Sequence, residues 1–319
     1  MTHAITEEKI LGLQKPWQKL GRKVEGMTVD QAMETGGLDW QVEKRQLYYD
    51  YINAEGAGTK EATDSFATIR TDTDGYLGTV GKQYQPLQNT EQAELIQAIV
   101  GEGEACAESV GSYANDRKVF WTCKLSSDML IGENDRIEKY LVLQNSHDGS
   151  GSFRAFYSPL RVVCSNMLTG MIKKFGKNGI SLRHTKNAID KIQEAKRVLC
   201  YANEQFLKTE EYYNEMAQVK IDTDRNKIDN IIDRIFGRKA DEEVTTRWEN
   251  EKYKIKTAIR EENSIATEKN TAWTIYNGIT RYTNHYQSVK DSGKRFDNLL
   301  SGRASTVASN ALSVLAEMN

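Results

Sequence analysis

Hydrophobic and polar positions change their period near residue 185, and that change sets the predicted architecture. Before it the pattern is mostly strand-like. Ser65–Arg70 alternates as a half-buried strand, Thr71-Asp72-Thr73-Asp74-Gly75 supplies a turn, and Tyr76–Val80 returns. Ala105–Tyr113 and Lys118–Leu125 form a second pair around Ala114-Asn115-Asp116-Arg117. Tyr140–Gln144 and Ser152–Tyr157 form a third, around the loop Asn145–Gly151. A short helix with Leu95, Ile96, Ile99 and Val100 on its stripe follows an N-cap expected at Thr90. Ser165 or Asn166 is expected to cap a helix carrying Met167, Met171 and Ile172. After residue 185 apolar residues recur at helical spacing: Ile189, Ile192, Leu199, Ala202 and Phe206, then Ile228, Ile231, Ile232 and Ile235. Val244, Trp248, Ile255 and Ile259 mark a third helix, Trp273 to Tyr286 a fourth, and Val307 to Leu315 a fifth. Their Lys/Glu-rich faces read as solvated surface. No proline follows Pro159, in keeping with long helices.

The expected fold class is therefore α+β: a curved antiparallel β-sheet core with packed helices, followed by a mainly helical C-terminal region. Three regions are expected, namely an irregular lead-in over 1–60, the α+β core over 61–185 and the helical region over 186–319.

Composition adds limits. The chain has 319 residues, 39% hydrophobic and 28% charged, with a formal net charge of −2, so its overall charge does not call for nucleic acid. No apolar run approaches the roughly 18–20 residues that span a bilayer, and the N-terminus lacks the pattern of a secretion signal. The expectation is a cytoplasmic protein with no membrane partner. Cys106, Cys123, Cys164 and Cys200 form no closely spaced pair and sit among apolar neighbours, so all four read as buried, reduced thiols.

Charge is uneven along the chain. Arg161 to Arg197 contains Arg161, Lys173, Lys174, Lys177, Arg183, Lys186, Lys191, Lys196 and Arg197 against Asp190 and Glu194. That is either a phosphate-contacting surface or a solvated helix face. The loop Asn145-Ser146-His147-Asp148-Gly149-Ser150-Gly151-Ser152 reads either as a phosphate-binding nest, with Ser146, Ser150 and Ser152 as donors, or as a tight hairpin loop. Tyr113, Phe120, Trp121, Phe153, Phe156 and Tyr157 are either stacking platforms or core. His147, Asp148 and His184 are of metal-ligand type without ligand spacing. Cys164, His147 and Asn166 are the residue types of a cysteine protease, although Cys164 lies in an apolar run. The Asp72-Thr73-Asp74-Gly75 turn resembles the start of a calcium loop, but Gln83 stands where the closing glutamate belongs, so a plain hairpin is expected.

Several motifs in order resemble an uncharacterised bacterial and phage family, the phage/plasmid-like proteins. They are Leu77-Gly78-Thr79-Val80-Gly81 with Tyr84 and Gln88-Asn89, Glu108-Ser109-Val110-Gly111-Ser112, Cys123-Lys124-Leu125, Asn145–Ser150, Pro159–Asn166, His184-Thr185, and Thr271–Asn277 with Tyr282 and His285. The resemblance spans roughly Phe66 to Leu315. It carries no settled activity and implies a role in mobile-DNA replication, recombination or countering host defence, in the cytoplasm of a bacterial host cell. The leading expectation is a non-enzymatic, homo-oligomeric single-stranded nucleic-acid-binding or annealing protein, with no cofactor, metal or catalytic residue. Arg161, Lys173, Lys174, Lys177, Arg183 and Lys186 would contact phosphates, and Asn145, Ser146, His147 and Ser150 would position the strand. The alternatives are a metal-dependent enzyme on nucleic acid or nucleotide, using His147 and Asp148, and a protein that inhibits a host factor.

Overall fold

The computed structural model describes residues 14–171, 179–182, 188–239 and 241–318. The α+β expectation is met by a curled antiparallel sheet with a helical C-terminal region. The main sheet runs β1 (Arg22–Lys23), β5 (Ala105–Tyr113), β6 (Lys118–Leu125), β8 (Asp135–Ser146), β9 (Arg154–Arg161) and β10 (Asn166–Met167). β7 (Met129–Ile131) pairs with β8, and β11 (Ile180–Ser181) with β9. A second sheet joins β2 (Val42–Asn53), β3 (Gly56–Arg70) and β4 (Gly75–Gly81). The helices are α1 (Val29–Thr35), α2 (Asn89–Gly101), α3 (Ala188–Gln218), α4 (Arg225–Ile235), α5 (Thr246–Ile265), α6 (Ala272–Arg281), α7 (Ser292–Leu300) and α8 (Arg303–Ala316). A π-turn at Tyr282–Tyr286 continues α6.

β6 and β8 read as apolar runs because both faces of the sheet are covered. Cross-strand partners share a face, and the register puts Phe120 with Gln144 and Lys124 with Tyr140 on one side. There Trp17 packs on Tyr140, with ring centres 4.9 Å apart, and Phe296 of α7 packs on Phe120 at 5.2 Å. The other face carries Leu141 opposite Tyr157, and Tyr157 packs edge-on to Phe206 of α3 at 5.5 Å. Tyr113, Phe120, Trp121, Phe153, Phe156 and Tyr157 are therefore core residues. α7 is fastened to the sheet by Asp297, which accepts from Tyr113 Oη and Lys118 Nζ, each at 2.7 Å.

Local readings are corrected at four places. Thr90 does not cap α2: Gln88 does, in a capping box with Glu91, so the helix begins earlier. Asn166 and Met167 form a strand rather than a helix start, pairing with Arg161 and Leu160 across a turn in which Ser165 has a φ of 52°. Residues 42–53 belong to a long hairpin rather than an irregular lead-in. Cys123 and Cys164 are buried, but Cys106 and Cys200 are exposed. On β5 the pleat turns Ala105 and Ala107 inward and Cys106 outward.

That hairpin projects. β4 pairs with β3 only from Ser65 to Arg70, so among the described residues Tyr48–Asn53 and Gly56–Glu61 have only each other as strand partners. Its solvated side chains include Tyr48, Tyr49 and Ile52, the last 86% exposed. Lys60 lies over the Tyr51 ring at 4.5 Å, and Thr59 donates to Asp50 at 2.7 Å.

α5 and α6 pack unusually closely at Gly278, where an added Cβ would lie 2.6 Å from Ile259 Cα and 2.9 Å from Ile259 N. Backbone cannot move aside as a side chain can. Gly278→Ala is expected to lower stability by about 2 kcal/mol or more. Chemical denaturation checks this, and an unchanged midpoint would show that the two helices separate freely.

Candidate nucleic-acid interface

The Asn145–Ser150 loop is built inward. Asn145, Ser146 and His147 are buried, while Ser150 is exposed. His147 Nε2 lies 3.0 Å from Asn89 Oδ1, its backbone N–H donates to the Arg117 carbonyl at 2.7 Å, and Trp40 meets its ring edge-on at 5.2 Å. Burial holds His147 at about 4, although Asp148 pulls the other way. Ser146 Oγ donates to Asp148 Oδ1 at 2.5 Å and the Ser150 amide donates to the same oxygen at 2.9 Å. Two of the donors that a phosphate nest would offer, Ser146 Oγ and the Ser150 amide, are thus taken by the loop's own carboxylate. Tyr84 Oη donates to the Ser146 carbonyl at 3.1 Å, and Gly78 is required because a Cβ there would lie 2.6 Å from Asp148 Cα. Leu77–Gly81, Tyr84, Asn89 and the loop are one packing unit, and strand positioning by Asn145, Ser146 and His147 would need that unit to open.

Arg161 sits in a second unit and is only 3% exposed. Its Nε donates to Asp135 at 2.7 Å and 2.8 Å, and its Nη1 donates to Glu262, which also accepts from Arg281 Nη1 at 2.8 Å. Asp135 further accepts from Trp273 Nε1 at 2.8 Å. Arg281 Nε donates to Glu261 at 3.0 Å, and Tyr286 Oη donates to the same carboxylate. Asn166 Nδ2 reaches the Asn277 carbonyl, and His285 Nε2 the Cys164 carbonyl at 3.1 Å. Burial alone would raise Glu262, but Arg161 and Arg281 hold it below the usual carboxylate range. Arg161 is therefore not presented to a phosphate, because its guanidinium is shared between two carboxylates inside the fold. Burial pushes the Cys164 thiol up to about 12, and the imidazole beside it is His285, so Cys164 is not paired with His147 as a nucleophile. Among the described residues no group of three or more His, Cys, Asp or Glu side chains could hold a metal.

Lys173, Lys174, Lys177, Arg183, Lys186 and His184 lie outside the described residues. The described surface has its own meeting of aromatic and basic groups, between α4 and α5. A groove of about 490 Å³ is lined by Thr223, Ile228, Tyr253, Lys256, Ile259, Arg260, Asn263 and Asn270. Tyr253, Lys256, Arg260 and Asn263 are spaced by three or four residues and so share a face of α5. Ile228 and Ile259 are buried and form the floor. Tyr253 is 65% exposed, with the Arg260 guanidinium 5.9 Å from its ring centre. Arg260 has no ion pair among the described residues and donates to Thr257 Oγ1 at 3.0 Å. Lys256 is steadied by Asp229 at 2.8 Å. Asn263 and Asn270 exchange hydrogen bonds of 2.8 Å and 2.9 Å at one end of the groove. Beside Thr223, Asp222 is neutralised by Lys227 at 2.6 Å, and Asp224 caps α4. Reading the polar face of this helix as bare solvated surface hid the groove; the spacing Tyr253-x-x-Lys256-x-x-x-Arg260 was the available signal.

A family model described as a domain of unknown function, DUF932, matches residues 76–300, a span holding both buried units and the groove. No curated protein and no solved structure matches the chain.

Two outcomes test the buried units. Glu262→Gln leaves Arg161 and Arg281 without their shared counter-charge and is expected to cost about 3–5 kcal/mol by chemical denaturation; a loss within error would make the pair dispensable. His147, held at about 4 against an ordinary 6.5, protonates first in the unfolded chain as pH falls. Its stabilising contribution is complete above pH 6.5 and is lost on the way down to about 4. His285, also lowered to about 4, first by burial and then by Arg281, acts in the same direction. Between about pH 7 and 5 each histidine should remove about 2 kcal/mol. His147→Gln should reduce the difference between unfolding free energies at those pH values by that amount, and an unchanged difference would show that His147 already titrates normally.

Proposed function

We propose that this chain, which belongs to the family defined by the domain of unknown function DUF932, is a single-stranded nucleic-acid-binding protein that holds a strand without acting on it chemically. The observation that carries the reading is the α4–α5 groove, where exposed Tyr253 stands beside Arg260 and Lys256 over an apolar floor. An aromatic face accepts any base by stacking, and neighbouring cations follow the backbone, so such a surface holds single strands with little sequence preference. A base would stack on the exposed Tyr253 ring, with Lys256 and Arg260 directed to adjacent phosphates. Thr223, Asn263 and Asn270 would supply polar contacts along the edge of the groove. Lys173, Lys174, Lys177, Arg183 and Lys186 belong to the proposal as phosphate contacts on the strength of their charge and clustering in the sequence alone. The phage/plasmid origin, the host cytoplasm and self-assembly belong to the same proposal, and their support is the order of sequence motifs.

Fluorescence anisotropy with a labelled single-stranded oligonucleotide tests it. Binding should weaken steeply between about 50 and 200 mM salt, because each phosphate contact releases a counterion. Tyr253→Ala and Arg260→Glu should each weaken binding by about tenfold or more, and Lys173→Glu with Lys174→Glu should reduce the salt slope. Absence of binding at low salt ends the reading; parental affinity in Tyr253→Ala and Arg260→Glu removes the groove from it.

A further inference from the structure

We propose that the cavity beside the π-turn is a separate site for a phosphate group. It has a volume of about 330 Å³ and is lined by Lys15, Lys19, His285, Ser292 and Arg295, with Gln14, Pro16 and Asn284 completing the wall. No carboxylate is among the described residues that line it. Lys15 is already engaged by Glu108 at 2.9 Å and Glu138 at 3.3 Å. Lys19 and Arg295 have no ion pair among the described residues. Asp291, next to Ser292 in sequence, is turned to cap α7 by accepting from the Lys294 amide at 2.8 Å.

Arg295 is the unusual group. It is half-buried, and its guanidinium is fixed by neutral carbonyls: Nη1 donates to Asn284 at 2.9 Å and to Thr283 at 3.3 Å, and Nη2 to Gln287 at 2.9 Å. Burial lowers its pKa, and among the described residues no neighbouring acid offsets the effect. A partly buried cation held only by neutral carbonyls is favoured by an anion placed beside it. A guanidinium already held in place recognises phosphate at little cost in side-chain ordering.

The turn that builds the wall is a π-type break in the helix ladder, a geometry that recurs at functional sites. It presents His285, whose Nε2 faces the Cys164 carbonyl at 3.1 Å. A carbonyl only accepts, so that nitrogen carries the proton in the neutral ring and Nδ1 is the atom that gains one on charging. Around His285 stand Arg281 and Arg295, which oppose its protonation, and Glu262, which favours it. A phosphate beside Arg295 would add negative charge to that balance and favour the imidazolium. Lys19 Nζ and Ser292 Oγ complete a donor set around the cavity. Asn284 is not part of it, because its amide is spent on the Met167 backbone and the Thr280 carbonyl.

The phosphate could belong to a bound strand or to a free phosphate monoester, and the site itself does not depend on the groove proposed above. NMR of the intact chain with inorganic phosphate, at matched ionic strength, reads the site directly through the His285 ring. Phosphate should shift those resonances and raise the His285 pKa, and Lys19→Gln, a change on an exposed residue, should weaken the response at least about fivefold. Arg295→Gln should abolish it, provided the circular dichroism spectrum is parental. His285 resonances unmoved at about 10 mM phosphate, a concentration that would fill a millimolar site, overturn the proposal. So does an equal shift with chloride, or an undiminished response in Lys19→Gln. A loss of oligonucleotide affinity in Lys19→Gln identifies the strand as the source. Parental oligonucleotide affinity with the phosphate response weakened identifies a free monoester. Oligonucleotide binding that fails while phosphate still binds rejects the strand-holding function and leaves this site standing.

Discussion

Glu262 is the residue on which the arrangement of sheet and helices most depends. Fully buried on α5, it is shared by Arg161 at the end of β9 and Arg281 at the end of α6. Asp135 at the start of β8 takes the other side of Arg161 and also accepts from Trp273 at the start of α6. One chain of alternating charges therefore connects two strands and two helices. Removing water from such charges is expensive, and the arrangement survives only because each has a fixed partner at hydrogen-bond distance. Apolar packing alone would tolerate α5 sliding against the sheet by a fraction of a turn, whereas Glu262 placed between two guanidinium groups would not.

That constraint has a bearing on the outer surface. Ile255, Ala258, Ile259 and Glu262 form the inner face of α5, and Tyr253, Lys256, Arg260 and Asn263 lie round the same helix toward the groove. Locking the inner face fixes the rotation of the helix, and so fixes where the tyrosine and the two cations stand. Gly278 brings α6 against the backbone at Ile259 and removes the remaining slack. A site of this kind gains its order from a scaffold and not from contacts among its own solvated side chains.

Short-range physics was legible in the sequence, and long-range pairing was not. The strand pairs around Ala114–Arg117 and Asn145–Gly151, the apolar stripes of the helices and the α+β plan all follow from periodicity and turn chemistry. Arg161 shows the limit. Its charge placed it on a phosphate surface, but its partner Glu262 lies 101 residues away, and nothing local announces that pairing. His147 is similar, since Asn89 is 58 residues distant. Cys106 is a different kind of error, because strand alternation already turned it away from Ala105 and Ala107. Tyr253 and Arg260 were hidden by treating a charged helix face as uniform. The motifs that carried the family resemblance lie within residues 76–300, yet many of their residues are committed to one another inside the fold. A motif can mark the interior of a fold as readily as its chemistry.

The β2–β3 hairpin lies ahead of residues 76–300 and stands apart from this economy of buried partners. Its outer half has a ladder of hydrogen bonds but neither face of it packed among the described residues, and a two-stranded ribbon without cover is only marginally stable in water. Opening it breaks few apolar contacts, so its free energy of local opening lies far below that of the core. The molecule thus has two tiers of cooperativity, a core that opens all at once and an arm that frays on its own. Substitutions on the arm are largely uncoupled from the energetics of the rest, and its length and side chains are free to change where those around Glu262 are not.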